Sequence, residues 1–74
     1  MGLLPVLTPR EVAALLEQLG FVEVRQQGSH RQYRHPDGRG TTLPFNAGRD
    51  ILPTLLRKIA RDIGVTTEEL LGQH

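Results

Sequence analysis

Near the start of the chain, apolar residues recur at helical spacing. Val12, Leu15, Leu16 and Leu19 fall at i, i+3, i+4 and i+7, one stripe of a helix facing a core. Thr8-Pro9-Arg10-Glu11 opens that helix: Thr8 can cap it, Pro9 suits its first position, and Glu11 completes a capping box. Gly20 supplies a left-handed stop. The period then changes to that of strands. Phe21-Val22-Glu23-Val24-Arg25 reads as a first strand, Gln27-Gly28-Ser29 as a turn, and His30 to His35 as a second strand. Pro36-Asp37-Gly38 predicts a hairpin turn, because Asp-Gly tolerates positive φ. A third strand is expected over Thr41-Thr42-Leu43-Pro44-Phe45. Pro44 cannot donate to a ladder, so this strand should lie at an edge or keep Pro44 on its open side.

After a loop over Asn46 to Asp50, helical spacing returns in Leu52, Leu55, Leu56, Ile59 and Ile63, with Pro53 near the start and Gly64 after the end. Arg57, Lys58 and Arg61 lie off that stripe. Thr66-Thr67-Glu68-Glu69 is a second capping box and opens a last short turn around Leu70 and Leu71. The fold class is therefore α+β in the order α-β-β-β-α. A three-stranded antiparallel sheet is covered on one face by two helices, with a short C-terminal helix beyond them. Its other face is left to water or to a partner.

Length and composition bound this picture. The 74 residues make one small domain. Without cysteine there is no disulfide or thiolate site. No apolar run approaches the roughly 20 residues of a membrane span. The opening MGLLPVL lacks a signal peptide's charged region and cleavage site, so a soluble cytoplasmic protein is expected. The total charge of +1 conceals a basic middle. From Val24 to Arg49 five arginines (Arg25, Arg31, Arg34, Arg39 and Arg49) stand against Asp37, a local balance of +4. Arginine's planar fork suits phosphate better than a lysine ammonium does. The same charge could instead only solubilise a sheet face.

Alternation narrows the candidate chemistry. In His30-Arg31-Gln32-Tyr33-Arg34-His35, Tyr33 is the one large, partly apolar side chain, so its parity faces the helices. His30, Gln32 and Arg34 then share the open face. An imidazole titrates near pH 6.5 and can take or give a proton at neutrality. RNA brings its own nucleophile, the 2′-hydroxyl, so such a face needs only to move protons and stabilise charge. The pattern alone leaves open whether His30 is catalytic or a tolerated surface residue. His35 reads as structural or as a phosphate contact, Tyr33 as core, and His74, at the terminus, as disordered. No spacing of His, Asp or Glu suggests a metal site, and no cofactor loop is apparent among the glycines.

Gly20-Phe21 and then Arg25-Gln26-Gln27-Gly28-Ser29-His30-Arg31-Gln32-Tyr33-Arg34-His35-Pro36-Asp37-Gly38 resemble the core motif of the HicA toxin family. Leu43-Pro44-Phe45, a Gly-containing loop, and Leu55-Leu56-Arg57-Lys58-Ile59 resemble the family's pattern C-terminal to that motif. The Gly-Ser-His-x-x-Tyr element between two strands is fairly specific, which Gly-Ser-His alone is not. The likeness extends from Thr8 to Leu71 and implies one HicA-like domain over residues 1–74, with residues 1–7 an N-terminal extension. It implies a double-stranded-RNA-binding-domain-like fold and the toxin of a type II toxin–antitoxin system. Such a toxin is an endoribonuclease that cleaves mRNA and is held inactive by a HicB-like antitoxin. The family's catalytic histidine falls on His30. Many relatives carry a histidine soon after the third-strand Pro, where this chain has Asn46.

Three readings stand side by side. In a metal-independent ribonuclease, His30 is the general acid or base. Arg25, Arg31 and Arg34 hold phosphates, with Ser29, Gln32 and His35 as further RNA contacts, while Gly28 shapes the turn and Tyr33 buttresses the sheet. A non-catalytic RNA-binding module, or a decayed toxin, would use the same basic face. A protein-interaction domain would present that face to an acidic antitoxin.

Overall fold

The computed structural model describes residues 4–72. The expectation for His74 lies outside them. Helix α1 (Pro9–Gln18) is followed by strands β1 (Val22–Gln27), β2 (His30–Arg34) and β3 (Gly40–Pro44), helix α2 (Pro53–Asp62) and the short helix α3 (Thr67–Leu70). The strands form one antiparallel sheet in the order β1-β2-β3, so β2 is central and both neighbours are edges. Among the described residues, no helix is long and apolar enough to cross a membrane.

The helix ends obey the sequence signals. The Thr8 hydroxyl accepts from the Glu11 amide at 3.1 Å, and the Glu11 carboxylate accepts from the Thr8 amide at 2.8 Å. Thr66 and Glu69 repeat the box at α3, at 3.0 and 2.8 Å. Each cap pairs amides that the first helical turn leaves without a partner. Gly20, just past α1, adopts φ +95°, and a Cβ there would lie 2.9 Å from His35 Nε2. Only glycine meets both conditions without strain.

One core joins the layers. Val12 and Leu16 of α1, Tyr33 and Leu43 of the sheet, Leu56 and Ile59 of α2, and Ile63 and Leu70 beyond it are all buried. Each such aliphatic side chain contributes about 1.5–3 kcal/mol by leaving water. Tyr33 and Leu43 are on the sheet face covered by the helices, whereas Val22 on the other face is 57% exposed.

Several boundaries differ from the sequence expectation. Phe21 is not in β1: its amide donates to the Leu16 carbonyl, closing α1, and its ring enters the core. β1 instead runs on through Gln26 and Gln27. β2 ends at Arg34, beyond which the chain enters the turn that the Gly38 amide closes on the His35 carbonyl at 2.9 Å. β3 ends at Pro44, one residue short of Phe45.

Leu52 is not part of the buried stripe of α2. It occupies the N-cap with no side-chain hydrogen bond and is 59% exposed. Ile51 is buried in its place and bridges Leu7 in two backbone hydrogen bonds. A leucine at an N-cap costs about 1 kcal/mol relative to Ser, Thr or Asp, since it offers the free amides no acceptor.

Candidate nucleic-acid interface

Strand register decides which side chains share the open face. Directly opposed residues of an antiparallel pair point to the same side. β2 pairs with β1 as Gln27↔His30, Arg25↔Gln32 and Val22↔Arg34, and with β3 as His30↔Pro44, Gln32↔Thr42 and Arg34↔Gly40. His30, Gln32 and Arg34 therefore stand with Arg25, Gln27 and Thr42 on the face that the helices leave open. Arg31 and Tyr33 point to the helix side, where Tyr33 is 2% exposed.

Arg25 reaches the open face through an irregularity. Glu23 pairs with Tyr33 and Arg25 with Gln32, so two steps along β1 match one step along β2. Val24 is the extra residue of a bulge. Strict alternation would have put Arg25 on Glu23's side, under the helices. The bulge turns it instead to the face that carries His30.

His30 is held from both flanks. It is the first residue of β2, and the two-residue turn Gly28-Ser29 fixes its approach. Gly28 at φ +60° is the first residue of that turn, the glycine position of a type II′ hairpin. The Ser29 carbonyl accepts from the Phe45 amide. Ladder bonds alternate in direction, so the Pro44 nitrogen faces the free edge and the missing donor breaks no ladder bond. The imidazole is exposed, and no described residue hydrogen-bonds it. Arg25 and Arg34 are also exposed and form no ion pair among the described residues. This leaves an exposed imidazole and two unpaired guanidinium groups together on one face of the sheet.

Three other candidates serve different ends. Arg31 spans the helix side of the sheet, its guanidinium 3.8 Å above the Phe45 ring and 3.5 Å from the Glu23 carboxylate. It clamps the residue after β3 rather than facing the open side. His35 packs on Phe21 with ring centroids 5.0 Å apart, and its Nδ1 accepts from the Asp37 amide at 3.1 Å. The Asp37 carboxylate lies 3.0 Å from the same nitrogen, so a neutral ring accepts the amide and a protonated one pairs with the carboxylate. Either state holds the turn. Arg39 donates to Asp37 at 2.7 Å and to the Ile63 carbonyl at 2.6 Å, tying the β2–β3 turn to the end of α2.

Two groups depart from their ordinary acidity. Burial raises the Tyr33 phenol, and the carboxylates of Glu23 and Glu17 push it the same way. It stays protonated at neutrality and acts as a wall of the core. The Arg39 amide holds the Asp37 carboxyl below its usual range, reinforced by the Arg39 guanidinium. Both effects belong to the scaffold.

The structure thus groups His30, Gln32, Arg34 and Arg25 and sets Arg31 and His35 apart from them. Ser29 is half-buried in the turn beside His30. Gln27 and Thr42 join the face, although the sequence did not single them out. Gln27 was legible in principle, since a two-residue turn at Gly28-Ser29 obliges it to oppose His30.

An open, basic sheet face with an exposed histidine on its central strand defines a small α+β protein suited to bind a polyanion. A family model described as the HicA toxin of bacterial toxin–antitoxin matches residues 9–65 of the 74. The chain belongs to the HicA toxin family. No curated protein matches it significantly.

Proposed function

We propose that this toxin is an endoribonuclease that cleaves mRNA without a metal cofactor, with His30 as its general acid or base. The observation that carries the reading is the register. It sets an exposed histidine on the central strand, two residue pairs along the ladder from Arg25 and on one face with it and Arg34. In the reaction, the 2′-hydroxyl attacks the adjacent phosphorus and the bond to the 5′-oxygen breaks. The products are a 2′,3′-cyclic phosphate and a 5′-hydroxyl. His30 takes the proton from the attacking hydroxyl or gives one to the leaving oxygen, and water handles the other. Arg25 and Arg34 hold the phosphate and offset the charge that grows on its oxygens. Gln32 and Ser29 supply neutral hydrogen bonds on either side of the imidazole.

Membership in a toxin–antitoxin family calls for a neutralising partner, which we assign as a HicB-like antitoxin. An acidic surface laid over β1 and β2 would cover His30 and both arginines, and opposite charge would speed its association. The test is induction in cells of the wild type and of His30→Ala, each with and without the antitoxin. Growth arrest with mRNA decay is expected only for the wild type alone. Equal arrest by His30→Ala would remove the imidazole from the toxic activity.

A further inference from the structure

We propose that the cleft between the end of β3 and the start of α2 receives a nucleobase of single-stranded RNA, next to the phosphate on which His30 acts. The proposal rests on the ribonuclease reading above and adds a base-binding subsite to it.

The cleft has a volume of about 370 Å³. Its walls are apolar, from Pro44, Ile51, Leu52 and Leu55, and the Asn46 amide lies among them. It adjoins the His30 face directly, because Pro44 is both part of its wall and the cross-strand partner of His30. Opposed side chains on neighbouring strands sit about 5 Å apart at Cβ, well within one nucleotide's reach.

Leu52 gives a second and independent reason. The other two helices are capped by threonines in complete boxes, yet α2 carries a leucine at its N-cap with no capping hydrogen bond. That leucine is also 59% exposed, so neither helix stability nor the core explains it. Residues that break a local folding rule concentrate where they serve a function.

The chemistry fits a base better than an apolar peptide side chain. Single-stranded RNA is read by bases splayed out of the stack, their faces packed on aromatic or apolar side chains and their edges on hydrogen-bonding groups. Leu52, Leu55 and Pro44 offer the surface, and the Asn46 amide offers a donor and an acceptor for an edge. Arg49 and Lys58 on the rim favour the phosphates on either side. That charge is partly offset by Asp50 on the same rim and by Asp62, which lies 3.1 Å from Lys58. The base, rather than the backbone, is therefore the group the cleft selects.

The test uses the full chain and two short 2′-O-methyl oligonucleotides with a single cleavable ribose. In one, every base is present, and in the other the nucleotide beside the cleavable position is abasic. The variants are Leu52→Ser and Leu52→Asn, which introduce capping residues and so should melt no lower than the wild type. The wild type should cut the complete substrate at least about fivefold faster than the abasic one, the gain expected from withdrawing about 40 Å² of apolar base surface from water at about 25 cal/mol per Å². Both variants should erase that difference. Equal rates on the two substrates in the wild type would overturn the proposal. So would variants that keep the wild-type preference, which would leave the cleft to a protein partner. If the wild type cuts neither substrate, the ribonuclease reading fails by itself. Fluorescence anisotropy with the same oligonucleotides then decides the cleft by the same fivefold criterion.

Discussion

Arg25 and Arg31 have the same chemistry but lie on opposite faces of one sheet, so exchanging each for alanine separates phosphate binding from scaffolding. Each phosphate of a single strand neutralised by the protein contributes about 0.7 to the slope of log affinity against log salt. Between roughly 50 and 200 mM salt, one such contact accounts for about a 2.6-fold loss of affinity. Arg25→Ala and Arg34→Ala should therefore each flatten the slope by about 0.7, and the double variant by about 1.4. Arg31→Ala should leave the slope unchanged. It removes the stacking over Phe45 at 3.8 Å and the contact with Glu23 at 3.5 Å, both partly exposed, and should lower stability by about 1 kcal/mol. The assay is anisotropy of a labelled single-stranded RNA over a salt series, with His30→Ala as background to prevent cutting, beside urea unfolding of each variant. An Arg31→Ala slope as flat as that of Arg25→Ala would refute the assignment of faces. An unaltered slope in the double variant would refute the interface itself.

Two further outcomes concern the scaffold. Gly20→Ala should cost about 1–2 kcal/mol from the left-handed backbone alone, and more because His35 must move, so urea unfolding within 0.5 kcal/mol of the wild type would contradict the close approach. Asp37 is lowered from its ordinary 3.8 by the Arg39 amide and guanidinium, so its stabilising effect is complete above that value and lost as pH falls through the lower folded-state one. Unfolding measured from pH 5 down to pH 3 should show a shallower loss for Asp37→Asn than for the wild type, and parallel curves would rule out that contribution.

Much of the fold was legible because its signals are local. Thr8 with Glu11 and Thr66 with Glu69 mark helix starts by side-chain chemistry within four residues. Tyr33 fixed the parity of β2, since no other residue there could enter the core, and that parity placed His30 on the open face. The same parity turns Arg31 and His35 to the other side, where they meet Phe45 and Phe21. From the sequence, Arg31 is expected to hold a phosphate, and His35 to be either structural or a phosphate contact. Their long-range partners leave no mark in a six-residue window. The bulge at Val24 was illegible for a related reason: β-branched and without a glycine, it looks like any strand residue. Ile51 and Leu52 are adjacent and equally apolar, and only the bridge to Leu7 decides which is buried. The cleft lined by Leu52 was hidden with it.

The role of His30 is tested most directly by the rate at which purified His30→Ala cuts RNA in a single turnover, beside its RNA affinity and circular dichroism. The imidazole is exposed and fills no core space, so the variant should fold as the wild type and bind RNA within a few-fold of it. Loss of a general acid or base should slow cleavage by about 10²–10⁴-fold. Cleavage by His30→Ala at the wild-type rate would contradict the assignment of His30 as the proton-transferring group.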